Sequence, residues 1–238
     1  MLSLETAVNL LATNASPVDA FGDIDPIRDP SLFDAAGTLL PQPAEYWASK
    51  TLGQRVMFGH ETGIYSFPTH EGVDFIKTAI AGREARTIEI AAGIGAWAKA
   101  LGIRATDSYL QRRPDIAAKY KAMRQQPAPY GKHVEKLEAV KAVRKYRPQV
   151  VVASWATQKF RADRFCMRGN ADGVDELRIL PMIDDYIFVG NTGQHGDKMI
   201  LEDIRAGVST HYIKDVLAVN VFSRAQKGDD FIVHIARK

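Results

Sequence analysis

The chain has a single cysteine, Cys166. One thiol cannot close an internal disulfide, and no cysteine cluster exists for a zinc site, so a reducing, cytoplasmic setting is expected. The basic neighbours Arg164 and Arg168 favour a thiolate at Cys166, but no partner motif accompanies it. The six histidines, at 60, 70, 133, 195, 211 and 234, lack ligand-like spacing, which argues against a metal site. No stretch approaches the 18 consecutive apolar residues of a membrane span. The segment MLSLETAVNLLATNASP has no Lys or Arg and carries Glu5, so residues 4–13 read as a short helix rather than a secretory signal. Internal repeats and low-complexity tracts are absent as well.

What is present is ordinary globular composition. The 238 residues are 46% hydrophobic and 25% charged, which excludes disorder, collagen and coiled coil for the chain as a whole. The length suits one domain with an appendage. The formal net charge of +3 conceals a division: −6 over residues 1–80, +12 over 81–168 and −3 over 169–238. A basic middle third can mark an anionic partner, nucleic acid included. Arg112, Arg113, Lys119, Lys121 and Arg124 crowd one stretch, with Tyr109, Tyr120 and Tyr130 interleaved. The competing reading is solvated helix faces, partly neutralised by the acidic N-terminal segment.

Residues 16–44 are rich in Pro, Asp and Gly and predict an irregular wrap with short helical turns. Residues 44–58 suit a short helix. Thr69 is a helix cap followed by Glu71 and by Val73, Ile76 and Ile80 at helical spacing, predicting a helix that ends near Gly82. Strands and helices then alternate. Strands are expected at Thr87–Ala92, Ile103–Asp107, His133–Leu137, Gln149–Ser154 and Tyr186–Gly190. Helices are expected at Ala96–Leu101, Pro114–Met123, Ala139–Tyr146 and Lys198–Ala206. Val216–Ser223 and Asp230–Ala236 form a hairpin pattern around Arg224–Asp229. This alternation predicts a parallel sheet with helices on both faces and an antiparallel edge.

The most informative stretch is Thr87-Ile-Glu-Ile-Ala-Ala-Gly93-Ile-Gly95-Ala-Trp-Ala98. Glycines between a strand and a helix let the backbone pass close to a ligand. Glu89, six residues before Gly95, stands where an acid can grip an amino-acid moiety or a ribose. The stretch resembles the first motif of class I S-adenosylmethionine-dependent methyltransferases, an acid with glycines two, four and six residues later. Ala91 replaces the first of those glycines. The resemblance covers residues 64–238 and implies a Rossmann-like, mostly parallel α/β sheet closed by a C-terminal antiparallel hairpin. Residues 1–63 form a helical and irregular extension to it. It implies S-adenosylmethionine as cofactor, with Glu89, Ala91, Gly93, Gly95, Asp107, Glu138, Ala139 and Ser154 around it. Asp107 would hold ribose hydroxyls, and Glu138-Ala139 resembles the acidic dipeptide beside the adenine. Thr106–Tyr109, Tyr130-Gly131, Ser154–Thr157, Gly173–Glu176 and Tyr186–Asn191 also look like a group of methyltransferase-like proteins. That kinship names no substrate.

Methyl transfer asks mainly for positioning of a nucleophile, so the lack of an obvious catalytic pair does not count against it. Ser154 and Trp155, at the carboxyl end of the clearest strand, are the substrate-side candidates. His195, in the run Asn191-Thr-Gly-Gln-His195-Gly, is read as a polar-loop residue and a candidate general base. The Asn/Asp-Pro-Pro-aromatic motif of amino-group methyltransferases is not matched at 154–157. Three alternatives remain open. One is an S-adenosylmethionine-binding protein that cleaves or senses the cofactor. Another is an NAD-dependent oxidoreductase, since Gly93-Ile-Gly95-Ala-Trp-Ala98 also fits a dinucleotide fingerprint. Against it, Asp107 comes 12 residues after Gly95, where about 20 are expected. The third is a nucleic-acid-binding module.

Overall fold

A computed structural model describes residues 24–164 and 169–238. The expected helix at 4–13, the start of the wrap at 16–23, and Cys166 and Arg168 lie outside the described residues. The first elements are α1 (Ala44–Ala48), α2 (Leu52–Thr62), β1 (Ser66–Phe67) and α3 (His70–Ile80). Then come β2 (Thr87–Ile90), α4 (Ala96–Leu101), β3 (Arg104–Asp107), α5 (Pro114–Ala122), β4 (Val134–Lys136), α6 (Ala139–Tyr146) and β5 (Val150–Ser154). The last part holds α7 (Glu176–Ile179), β6 (Asp185–Asn191), α8 (Thr192–His195), α9 (Met199–Arg205), β7 (His211–Leu217), β8 (Phe222–Ser223) and β9 (Asp230–Arg237).

Seven strands form one sheet in the order β4-β3-β2-β5-β6-β9-β7. All neighbours from β4 to β6 run parallel, while β9 is antiparallel to both β6 and β7. This is the Rossmann-like sheet that the resemblance implied, closed by the antiparallel hairpin with β9 lying between β6 and β7. The parallel strands β5 and β6 are buried almost throughout, which explains their uninterrupted apolar sequence. Ile88, Ile90, Val151, Ala153, Tyr186 and Phe188 face α6, α7 and α9. Val150, Val152, Ile187 and Val189 face α3 and α4 on the other side. A third cluster around Trp47, Phe58 and Phe67 packs the N-terminal segment against Ala96 of α4.

Three expectations change. Residues 44–58 hold two helices, because Thr51 and Gln54 form a capping box that starts α2 afresh. The hairpin partner of β9 is β7, which begins at His211 rather than Val216. Its Tyr212–Val216 stretch is exposed on the sheet edge and bulged, so no apolar alternation marks it. Phe222–Ser223 pairs instead with β1 in a separate two-stranded sheet. The expected polar loop after β6 is a helical turn, α8, capped by Asn191.

Candidate functional site

The strand order fixes where a ligand fits. From β2 the chain winds outward to β3 and β4, then returns to the other side of β2 as β5. Connections therefore diverge between β2 and β5, and their carboxyl ends leave a crevice there. A cavity of about 590 Å³ occupies that place. Its walls include Glu89 of β2 and Ala91–Ile94 after it, Asp107 at the end of β3 with Ser108, and Ser154 at the end of β5 with Trp155–Thr157. The volume is that of a small-molecule pocket.

The β2 turn approaches the cavity with its backbone. Ala91, Gly93 and Gly95 all have positive φ, of 51°, 52° and 75°. Ala91 thus adopts the left-handed conformation for which glycine is usual, at a cost of roughly 1–2 kcal/mol. A Cβ added at Gly93 would meet nothing nearer than 4.0 Å, so the space over its backbone is open. Gly95 does a different job. A Cβ there would collide with His133 and Val134, so this glycine admits the segment that packs over the turn. It does not line the cavity.

Two carboxylates meet at the turn. Glu89 pairs in register with Val152 and so shares the face of β5 that looks toward α4. It is 1% exposed, and its Oε2 accepts a hydrogen bond from the Ala98 amide at 2.8 Å. Burial pushes its carboxyl up to about 8, and the nearby Asp107 adds to the shift. Asp107 Oδ2 accepts from the Gly93 amide at 2.9 Å and Oδ1 from the Tyr109 amide at 2.7 Å. Burial raises its carboxyl as well. Neither acid forms an ion pair among the described residues.

The other expected residues separate into two groups. Ser154 and Trp155 line the cavity. Trp155 has φ 55° and its amide donates to Val189 O at 2.9 Å, which turns the chain sharply off β5. Glu138, Ala139 and His195 do not line it. The Glu138 carboxylate accepts from the Val140 and Lys141 amides at 3.1 Å and caps α6. His195 is 6% exposed, wedged edge-on between Trp155 and Phe188, and its Nδ1 accepts from the Asn191 amide at 3.1 Å. It supports the back of Trp155 rather than facing the ligand space.

Sequence reasoning missed the roof and far wall. Helix α5 buries none of its residues, yet Ile116, Lys119 and Tyr120, and Met123 just past its end, all line the cavity. Their spacing puts them on one helical face. Tyr65, Gln111 and Tyr130 complete that side, with the Tyr130 ring stacked on Tyr109 at 4.1 Å and Arg112 beside both rings. In the sequence Tyr120 stands out only as an aromatic within a basic run, and Tyr130 as that and as part of the resembling Tyr130-Gly131 pair. Nothing in the sequence around Tyr65 or Gln111 signals a site.

Part of the basic third is engaged internally. Lys145 and Tyr146 hold Glu135, Arg113 holds Asp115 and Asp172, Arg164 holds Asp203, and Arg104 stacks on Tyr146. Lys99 reaches Asp34 of the N-terminal segment. Among the described residues most of these pairs are local rather than made with the acidic wrap. Among the described residues, no group of three or more His, Cys, Asp or Glu is placed to hold a metal ion.

No family model matches the chain, and no curated protein matches it. Solved structures do. A Listeria monocytogenes protein provisionally assigned as a class I S-adenosylmethionine-dependent methyltransferase is 8% identical, with a TM-score of 0.39. The match covers 69% of this chain and 57% of that one, so the chain spans little more than half of that protein's length. Precorrin-6y C5,15-methyltransferase from Geobacter metallireducens is 10% identical over 71% of this chain and 89% of its own, with a TM-score of 0.38. An S-adenosylmethionine-dependent O-methyltransferase from Thermotoga maritima is 9% identical over 79% and 71%, with a TM-score of 0.40.

Proposed function

We propose that the protein is an S-adenosylmethionine-dependent methyltransferase whose cofactor lies against the β2 turn. The observation that carries this reading is the pair of buried carboxylates, Glu89 and Asp107, on an open glycine backbone at the sheet's switch point. Buried acids without a cation partner are costly, and both are raised by burial. A ligand carrying an ammonium and ribose hydroxyls would relieve that cost. The donor set therefore fits S-adenosylmethionine.

It does not fit a dinucleotide. A pyrophosphate is bound by the free amides at a helix N-terminus. Here the Ala98 amide at the start of α4 is already taken by Glu89. Two phosphate charges would also sit against two acids. Among the described residues Lys119 is the one Lys or Arg side chain on the wall, and it comes from α5 rather than from the turn.

When bound, the cofactor supplies an already activated methyl group. The chain's own residues position and enclose it. Beside a bound ammonium Glu89 would give up the proton that burial holds there, and Glu89 and Asp107 would then supply negative charge at the turn. Ala128 and Pro129, the nearest groups above Gly93, help exclude water from it. Ser154 and Trp155 form the wall beside the acceptor space. That space continues past the turn to Tyr65, Tyr120 and the loop at 170–174, which favours methyl transfer over cofactor sensing alone. Among the described residues no helix is long and apolar enough to cross a membrane.

Calorimetric titration with S-adenosylmethionine, S-adenosylhomocysteine and NAD tests the proposal. Binding of the first two at one site per chain, without NAD binding, is expected. Failure of both sulfur ligands to bind would sink the methyltransferase reading.

A further inference from the structure

The cavity lining differs in charge from one part to another. The turn carries Glu89 and Asp107. The end at Tyr65, Tyr120 and Lys119 has the Arg224 guanidinium packed on the Tyr65 ring at 3.5 Å from its centroid. Arg224 also donates to Gly59 O at 3.3 Å. Among the described residues no carboxylate pairs with Arg224 or with Lys119. The positive field reaches the buried His60, whose pKa is lowered to about 4 by burial and by Arg224.

The hydroxyls at this end have a proton to spare. Tyr65 and Tyr120 are joined O to O at 2.6 Å, and Gln111 Nε2 donates to the Tyr65 oxygen at 3.2 Å. A single hydrogen bond joins the pair, so one of its two hydroxyl protons is committed there. Whichever tyrosine donates, the other keeps its own proton for a third partner. Trp97, Ile116, Met123 and Trp155 add apolar and aromatic wall to the same cavity.

We propose that this end takes an anionic oxygen of the methyl acceptor, a carboxylate or phenolate on an aromatic ring, with the spare proton of the Tyr65–Tyr120 pair donated to it. The inference rests on the methyltransferase reading above and assigns its acceptor class. Acidic and basic parts of the lining then match a cationic cofactor and an anionic acceptor in one cavity. A cationic acceptor is disfavoured, because Arg224 already occupies a face of Tyr65 and Lys119 stands beside it.

The test titrates the protein, saturated with S-adenosylhomocysteine, with benzoate, 4-nitrophenolate, benzamide and benzylamine. At least one of the two anions should bind about tenfold more tightly than the amide or the amine, the usual worth of a charge-assisted hydrogen bond. Which anion binds distinguishes carboxylate from phenolate. The double variant Tyr65→Phe/Tyr120→Phe removes both hydroxyls together, so neither is left unpaired. It should lose about that factor for the anion and keep S-adenosylhomocysteine affinity within about twofold. Lys119→Ala, on an exposed helix, gives a second readout and should weaken the anion about threefold. Equal or tighter binding of benzamide or benzylamine overturns the proposal. So does unchanged anion affinity in both variants. Loss of S-adenosylhomocysteine binding by the unmodified protein would instead overturn the cofactor reading, so the two failures are separable.

Discussion

Substituting Glu89 by Gln probes the charge that the cavity is built around. The amide is isosteric, and its oxygen can still accept from the Ala98 amide that Glu89 now engages at 2.8 Å. The variant should therefore fold. Its pH response should differ. The Glu89 carboxyl titrates near 4.5 unfolded and is pushed up to about 8 in the fold, chiefly by burial. A raised acid makes the native state bind more protons than the unfolded state between those values. Its contribution to stability is therefore greatest below pH 4.5 and is lost as pH rises toward about 8. The slope is about 1.4 kcal/mol per pH unit inside that window. Between pH 5.5 and pH 7.5 the native protein should thus lose about 3 kcal/mol relative to Glu89→Gln. Asp107, also raised by burial, is present in both proteins and largely cancels. Urea unfolding of both proteins at the two pH values measures the difference. Identical pH slopes would refute the raised, unpaired state of Glu89. In the same variant S-adenosylhomocysteine affinity should fall at least about tenfold, the cost of losing a charged hydrogen bond.

Three further outcomes follow from the same geometry. Gly93→Ala adds a Cβ into open cavity space at a φ of 52°, so it should cost about 1 kcal/mol in thermal or urea unfolding and weaken cofactor binding about tenfold or more. Unchanged affinity would place the cofactor away from the turn. Glu138→Ala removes the cap of α6 and should cost about 1 kcal/mol of stability, with cofactor affinity unchanged. A matching loss of affinity would show that Glu138 reaches the ligand after all. Asp185→Ala strips the carboxylate that holds Arg83 and the buried His234, and should cost about 3 kcal/mol while leaving the cavity's ligand affinity intact. A cost under about 1 kcal/mol would mean that the pair adds little.

The sequence was most legible where one local cause decides the outcome. Ala96–Leu101 ends at Gly102, whose φ of 69° suits a helix stop, and the helix bounds were readable to the residue. The β5 run VVVAS reads as a buried strand because both of its faces are covered. Legibility failed where tertiary context takes over. Glu138 carries the expected residue type at the expected place, yet the free amides of α6 claim it. His195 looked like a loop histidine because Asn191-Thr-Gly gives no helical signal, while the fold places it behind Trp155. Tyr65, Gln111 and Tyr120 meet across 46 and 55 residues of chain, and no short motif can record such a meeting. The strand β7 hides because an exposed edge does not need apolar alternation.

Amide hydrogen exchange with and without saturating S-adenosylmethionine tests the location of the cofactor most directly. The account predicts slowed exchange at residues 91–95 and 107–109, where the β2 turn and Asp107 meet, and along α5, whose inner face lines the cavity without being buried. Exchange unchanged at the turn, with protection elsewhere or nowhere, would contradict it.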